Sequence, residues 1–303
     1  MNCKILYNPN TDIKRFSFDK AYKLLKKKDY VPEFIESLYP GHVINLINDC
    51  NKENNLVLTL GGDGTRLEAI KGLCQLPKQF MQYGHIPAGT TNDASLNSGL
   101  PRDKPLLSLS LLLDGSEKET DIPTVNTNPI GYVSMVGDKT NFTSKANPFL
   151  KKHIKSLAYL LASTVEMIKP LENYDVTYKV NGKTIEETIA LAIISNSYGM
   201  ARIKFTGNIY DNVNLNDGLF EVIVVKSLSP KLFSSLVKSF QSGKLVIDKY
   251  LDYINLYQTN EFNITFNDNP TRPVTIDGDE AFYMKDDKTL HYECSKKLKI
   301  LTA

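Results

Sequence analysis

The 303-residue sequence contains no tryptophan and only four cysteines and four histidines. Cys3, Cys50, Cys74 and Cys294 lie far apart and form no CxxC pair. That spacing argues against a zinc site and a disulfide framework and fits a reducing compartment. The scattered histidines make no HExxH. No apolar run approaches the ~20 residues of a spanning helix, so no transmembrane segment is expected. Met1-Asn2-Cys3-Lys4-Ile5-Leu6-Tyr7 reads as a strand rather than a signal peptide, and a cytoplasmic location is expected. Neither sign of charge dominates: 36 Lys and Arg face 34 Asp and Glu, for a net charge of +2. That balance gives no nucleic-acid signal. Walker A and GxSxG patterns are missing, and Gly62-Asp63-Gly64 opens a GxGxxG that Leu67 breaks at the third glycine. The two Asp-Gly loops fail as EF-hands, because Val213 and Leu215, or Pro273 and Thr275, would stand at ligand positions.

What is present begins with Gly61-Gly62-Asp63-Gly64-Thr65. It follows Leu56-Val57-Leu58-Thr59-Leu60, of strand length, and precedes Arg66 to Leu73, where Leu67, Ile70 and Leu73 recur at helical spacing. A strand, a glycine loop and a helix form a phosphate-binding arrangement: glycines let the backbone approach an anion, and the helix amino end offers free N–H groups. Asp63 would repel phosphate unless it holds Mg²⁺ or a substrate hydroxyl. The combination suggests phosphoryl transfer.

The first part of the chain alternates strands and helices. Ile5-Leu6-Tyr7 predicts a strand, Phe18, Ala21, Tyr22 and Leu25 an amphipathic helix, and Val43, Ile44, Leu46 and Ile47 a second. Tyr83-Gly84-His85-Ile86-Pro87 predicts a strand ending in a tight loop, Ala88 to Asp93. This order predicts an α/β domain with a mainly parallel sheet and ligands at the carboxyl ends of its strands. From about Asp121 the texture changes. Ile130 to Val136, Tyr174 to Val180, Glu187 to Ile194 and Phe220 to Val225 predict strands, and Val180-Asn181-Gly182-Lys183 a hairpin turn. Helices are expected over about Pro148 to Ile168 and Lys231 to Phe240. The expected division is 1–125 as nucleotide-binding domain and 126–284 as a mainly β, sandwich-like substrate domain, with 285–303 packing back on the first. The domains are expected to share a cleft.

Five polar loops remain: Asn8 to Asp12, Gly61 to Thr65, Pro87 to Asp93, Asn214 to Leu219, and Ile276 to Glu280. Singly, all but the second read as ordinary turns or caps. With Thr120-Asp121-Ile122 and Ser195-Asn196-Ser197 they follow, in order and spacing, a family pattern. From its first strand onward the chain resembles the bacterial soluble lipid kinases with a diacylglycerol kinase catalytic domain, and more distantly the sphingosine and ceramide kinases. The glycine loop alone is shared with NAD kinases; Pro87-Ala88-Gly89-Thr90-Thr91-Asn92-Asp93 is the more specific block.

The resemblance implies an NAD kinase/diacylglycerol kinase-like fold and an ATP- and Mg²⁺-dependent lipid kinase, with diacylglycerol or a related lipid as acceptor. Asn8, Pro9, Asn10, Thr11, Asp12, Ser37, Gly61, Gly62, Asp63, Gly64, Thr65, Thr90, Asn92 and Asp93 would hold the nucleotide. Asp63 would join an acid–water–Mg²⁺ network, and Asp121 would lie near the acceptor hydroxyl. Asp217, with main-chain oxygens of Asn214 and Leu219, would hold a second, structural Mg²⁺. The family's base is the Glu of an Asp-Gly-Glu turn. Here Asp279 takes that position by register, and Glu280 would take it if the turn carries an extra residue. The chain also departs from the pattern at Asp12, where glycine is usual, and at Asn216, where many members carry Asp. Transient contact with the inner membrane face is expected, through the helix carrying Lys151, Lys152 and Lys155. A homodimer is an arrangement that the resemblance allows. The competing readings are an NAD kinase and a catalytically weakened nucleotide- or lipid-binding protein of the same fold.

Overall fold

A computed structural model describes residues 1–11, 13–137, 173–200, 202–226, 242–268, 273–284 and 288–303, without the side chains of Ile13, Asp279, Glu280 and Tyr283. Asp12 and both helices expected at 148–168 and 231–240, with Lys151, Lys152 and Lys155, lie outside the described residues. The chain divides into two units, Met1–Ile122 with Lys296–Ala303, and Pro123–Ser295.

The first unit runs β1 (Asn2–Tyr7), α1 (Phe18–Lys27), β2 (Val31–Glu36), α2 (His42–Cys50), β3 (Asn55–Gly61), α3 (Asp63–Gln75), β4 (Gln82–Pro87) and α4 (Pro105–Asp114). The sheet order is β2-β1-β3-β4, and every pairing is parallel. All seven residues of β3 are buried, as a central strand covered on both faces requires. The period of two sorts its side chains. Leu56, Leu58 and Leu60 join Cys3 and Ile5 of β1 in one cluster, with Ala21 and Leu25 of α1 and Leu109 and Leu112 of α4. Val57 joins Leu6 and Tyr83 on the other face, with Val43 and Ile47 of α2 and Ile70 and Leu73 of α3. Each fully buried aliphatic side chain contributes about 1.5–3 kcal/mol. Ser17 caps α1, its hydroxyl accepting from the Lys20 N–H at 3.4 Å. Tyr22, counted with the apolar face of α1, is exposed.

Two elements of this unit have weak sequence signals. Strand β2 carries Pro32 and alternates Glu33 and Glu36 with Phe34 and Ile35, a pattern tolerated because β2 is an edge strand. Helix α4 is apolar nearly all round, so its period is hard to read.

Strand β5 (Ser116–Val125) leads from the first unit into the second, and the final strand leads back. Between them lie β6 (Asn128–Pro129), β7 (Val133–Gly137), β8 (Tyr174–Val180), β9 (Lys183–Ile189), β10 (Leu191–Ser195), β11 (Gly199–Met200), β12 (Ile203–Thr206), β13 (Phe220–Val225), β14 (Lys244–Val246), β15 (Ile254–Thr259), β16 (Glu261–Phe266), β17 (Pro273–Ile276) and β18 (Asp279–Tyr283). The last strand is β19 (Thr289–Thr302). The second unit is mostly antiparallel. One sheet has the order β15-β13-β10-β7-β17-β18, another β6-β5-β19-β16-β8-β9, and a small one β11-β12-β14. The α/β domain followed by a strand-rich domain is the fold class expected from the sequence.

The hairpin β8–β9 turns at Asn181 and Gly182, with φ of +49° and +74°, the left-handed pair of a type I′ turn. The single strand expected over Glu187 to Ile194 is two strands. Ala190 breaks it, because β9 pairs with β8 in one sheet while β10 pairs with β7 and β13 in another. The strand expected from Ile130 begins at Val133, because the Ile130 N–H is spent on the Pro123 carbonyl.

Candidate active site

In the first unit, four loops leave the carboxyl ends of four parallel strands. After β1, Asn8 folds back on itself: its Oδ1 accepts from the Asn10 N–H at 2.9 Å, and its carbonyl accepts from the Thr11 hydroxyl at 2.8 Å. The Asn8 N–H in turn donates to the Leu60 carbonyl, tying this loop to the strand before the glycine loop. After β2, the Ser37 N–H donates to the Tyr7 carbonyl at 2.9 Å. After β3 comes the glycine loop, with Gly62 capping α3. After β4 comes Ala88 to Asp93, anchored by the Ala88 N–H on the Gly61 carbonyl at 2.7 Å.

The last two loops touch backbone to backbone. A methyl group placed on Gly89 would lie 2.4 Å from the Gly62 Cα, and one on Gly61 would lie 2.4 Å from the Thr65 hydroxyl oxygen. Only glycine permits this approach. Asn92 holds the second loop shut. Its Oδ1 accepts from the Gly89 N–H, and its amide donates to the Gly89 and Arg102 carbonyls, all within 2.9 Å.

Asp63 joins the two loops. It opens α3, and its carboxylate oxygens accept from the Asp93 and Ala94 N–H groups, each at 3.1 Å. These donors belong to the short turn Asp93–Leu96, so Asp63 caps a neighbouring element while standing at the start of its own. Burial first, and then the nearby Asp93 carboxylate, raise its pKa to about 6 against the opposing pull of the two N–H bonds and Arg66. A cation beside this pair would relieve the repulsion, and each Asp63 oxygen retains lone-pair capacity after its one N–H bond. The residues present therefore fit a Mg²⁺-bearing nucleotide phosphate. Asp93 is buried and pairs with Arg102 at 3.4 Å.

Two further features of the first unit have no sequence signal, because they join distant residues. Asp121 is buried and pairs with Lys297 of the returning strand at 3.4 Å. Arg66 is also buried, and a buried polar chain lies nearby: the Thr59 hydroxyl bonds Tyr83 Oη and His85 Nδ1, both at 2.9 Å. Burial first, and then Arg66, push the His85 pKa down to about 3, so this imidazole is neutral. Gly64 and Thr90 are exposed.

In the second unit, Gly218 has a φ of +79° and lets the loop double back. Asp217 Oδ1 accepts from the Leu219 N–H at 3.0 Å, and Asn214 Oδ1 from the Asn216 N–H at 3.2 Å. Asn214 and Asp217 are exposed and Leu219 is half-buried. One carboxylate and main-chain carbonyls form an oxygen donor set, which suits Mg²⁺ only when waters complete its shell. Among the described residues no three or more His, Cys, Asp or Glu cluster as a metal site. Two residues onward, Glu221 of β13 is 1% exposed, and Gln258 donates to its Oε1 at 3.4 Å. Its Oε2 has no hydrogen-bond partner among the described residues. Burial pushes its pKa up to about 8, and the Asp217 charge raises it too.

The Asp277-Gly278 turn is a two-residue turn: φ is +54° and +87°, and Ile276 pairs directly with Asp279. No extra residue sits in the turn itself. The irregularity falls one pair further on, where Thr275 pairs with Glu280 but Val274 with Phe282, so Ala281 is the inserted residue. Asp277 is buried and accepts the Tyr132 and Val133 N–H groups at 2.8 and 3.1 Å, which fixes the turn against β7.

A parallel sheet with a glycine loop and an embedded acid at its carboxyl edge is an arrangement suited to binding phosphate. Comparison with known proteins sharpens this. Residues 2–125 match the family model of the diacylglycerol kinase catalytic domain. The diacylglycerol kinase of Bacillus subtilis is 26% identical over 253 residues, covering 82% of each chain. That of Staphylococcus carnosus is 24% identical over 226 residues, covering 74% of this chain and 72% of the relative. A crystal structure of a diacylglycerol kinase from Bacillus anthracis aligns over all of this chain and 97% of its own, with a TM-score of 0.70 and 17% identity. A second structure from that organism reaches 0.75 at 18% identity. At such identities the structural likeness establishes the fold. Over residues 2–125 the chain is similar to the diacylglycerol kinase catalytic domain, and over 74–82% of its length to proteins named diacylglycerol kinase; this likeness marks it as an enzyme of the kinase class.

Proposed function

We propose that this chain transfers the γ-phosphoryl group of ATP to the hydroxyl of diacylglycerol or a closely related lipid. The observation that carries the reading is the Asp63 carboxylate, bonded to the Asp93 and Ala94 N–H groups so that the glycine loop and the Pro87–Asp93 block form one surface. The relatives named diacylglycerol kinase support the acceptor class.

On this reading Asn8, Pro9, Asn10, Thr11, Asp12 and Ser37 contact the nucleotide from the first two loops. Gly61, Gly62, Gly64 and Thr65 offer backbone N–H groups and a hydroxyl to its phosphates, and Thr90, Asn92 and Asp93 complete the surface. Asp63 would hold Mg²⁺ directly or through water, and the ion would supply charge neutralisation for the phosphates. The acceptor oxygen forms a bond to the γ-phosphorus as the bond to the β,γ-bridging oxygen breaks, and ADP leaves. The hydroxyl proton passes to the carboxylate of Asp279 or Glu280; general-base assistance of this kind is worth ~10²–10⁴-fold in rate. The direct pairing of Ile276 with Asp279 favours Asp279, since the turn carries no extra residue. Asp121 orients the acceptor. Asn214, Asp217 and Leu219 would hold a second, structural Mg²⁺. No described helix is long and apolar enough to cross a membrane. On this reading the enzyme would meet its lipid by transient contact with the inner membrane face.

The test is purified protein with Mg²⁺, ATP labelled on the γ-phosphorus, and a panel of diacylglycerol, monoacylglycerol, phosphatidylglycerol, ceramide, sphingosine and NAD. Labelled phosphatidic acid is expected. Labelled NADP identifies an NAD kinase instead, and ATP binding without any labelled product identifies a nucleotide-binding protein that does not turn over.

A further inference from the structure

We propose that the stacked rings of Tyr39 and His42 form the platform on which the purine base of the nucleotide rests. This rests on the kinase reading above and adds a base-recognition subsite to it. Leu38 and Tyr39 lead from β2 into α2. Leu38 is the most exposed large apolar side chain among the described residues, at 73%, and Tyr39 is 53% exposed. A connecting loop has no folding reason to present adjacent Leu and Tyr to water, since polar residues would serve the turn as well.

The loop is nonetheless rigidly organised. The Tyr39 and His42 rings lie 4.6 Å apart at 22°. His42 Nδ1 accepts from the Leu38 N–H at 3.0 Å, which fixes the orientation of the ring. The Asn45 amide reaches the Tyr39 hydroxyl at 3.5 Å. Gly41, at φ +85°, makes the turn into α2, and the Gly41 and Val43 N–H groups donate to the two Glu68 carboxylate oxygens at 2.9 and 3.3 Å. Glu68 lies on α3. The helix that begins at the glycine loop thus also holds the Tyr39 loop in place.

Position supplies the occupant. The loop follows β2, so it lies at the same carboxyl edge as the glycine loop after β3. Two strand intervals separate β2 from β3, roughly 10 Å, a gap that a ribose and base bridge when the phosphates sit on α3. His42 stacks on one face of the Tyr39 ring, and with Tyr39 53% exposed among the described residues a base can continue the stack. Leu38 adds an apolar contact beside it.

The experiment measures binding of ATP and of inorganic tripolyphosphate, both with Mg²⁺, to the full chain by titration calorimetry. Tyr39→Ala is expected to weaken ATP binding roughly 5- to 150-fold, the range for loss of base–aromatic stacking, and to leave tripolyphosphate binding unchanged. Tyr39→Trp is expected to keep ATP affinity. Because the sequence has no other tryptophan, its emission should be quenched by ATP and not by tripolyphosphate. Unchanged ATP affinity in Tyr39→Ala, an equal loss for both ligands, or equal quenching by both would overturn the platform alone. If the unaltered chain binds neither ligand, the nucleotide reading falls and takes the platform with it.

Discussion

Glu221→Gln is expected to stabilise the chain, and the gain should grow with pH. Glu221 is buried in β13 with one oxygen lacking a partner among the described residues, and its pKa is raised from the ordinary 4.5 to about 8. Within that window the folded state keeps a proton that the unfolded state has released. Stability from this group is therefore fully present below the unfolded value and is lost as pH rises towards the folded value, at up to ~1.4 kcal/mol per unit. Two other groups act lower on the scale. Asp63, raised to about 6, gives a slope of the same sign, and His85, lowered to about 3, gives the opposite sign. Above about pH 6.5 what remains of these two is small, under ~0.5 kcal/mol each and opposite in sign. Between about pH 6.5 and 8 the unaltered chain should lose ~1.5 kcal/mol to Glu221. Glutamine preserves the shape and the acceptor that Gln258 engages, but carries no charge. Urea unfolding followed by circular dichroism across that interval checks this. A Glu221→Gln chain whose stability falls with pH as steeply as the unaltered chain would refute the buried-acid argument.

Gly89→Ala should part the glycine loop from the Pro87–Asp93 loop, since its methyl would sit 2.4 Å from the Gly62 Cα; overpacking of this kind costs ~1–3 kcal/mol, and ATP titration should show weakened binding. Arg102→Met leaves the buried Asp93 carboxylate without its 3.4 Å partner; a loss of roughly 3 kcal/mol is expected, with much of it recovered in the Asp93→Asn, Arg102→Met double variant by urea unfolding. Gly182→Ala forces a side chain into φ of +74° and should cost ~1–2 kcal/mol in the same assay.

Local patterns made much of this architecture legible. The glycine loop sits where a buried apolar run meets a helical period, and both β3 and α3 follow from that. Asn181-Gly182 declares its hairpin because its two residues can both take positive φ. Strand β2 hides because Pro32 and two glutamates break its alternation, and only its edge position makes that sequence a strand. The break at Ala190 hides because it depends on which sheet each half joins. The same limit applies to the candidate site. Asp63, Asn92 and Asp93 lie inside local motifs, but the partners that fix them do not. Arg102 and Lys297 reach Asp93 and Asp121 through the fold, and the Glu68 tie that organises the Tyr39 loop joins residues 25 and 27 positions apart. Such contacts leave no period or spacing in the sequence.

The central claim is phosphoryl transfer to a lipid by a site that depends on Asp63. It is tested most directly by incubating the unaltered chain and Asp63→Asn with Mg²⁺, γ-labelled ATP and diacylglycerol vesicles, then counting label in the organic extract. The account predicts labelled phosphatidic acid from the unaltered chain and at least ~10–100-fold less from Asp63→Asn, with the variant still folded by circular dichroism. Label absent from the lipid extract, or equal label from both chains, would contradict it.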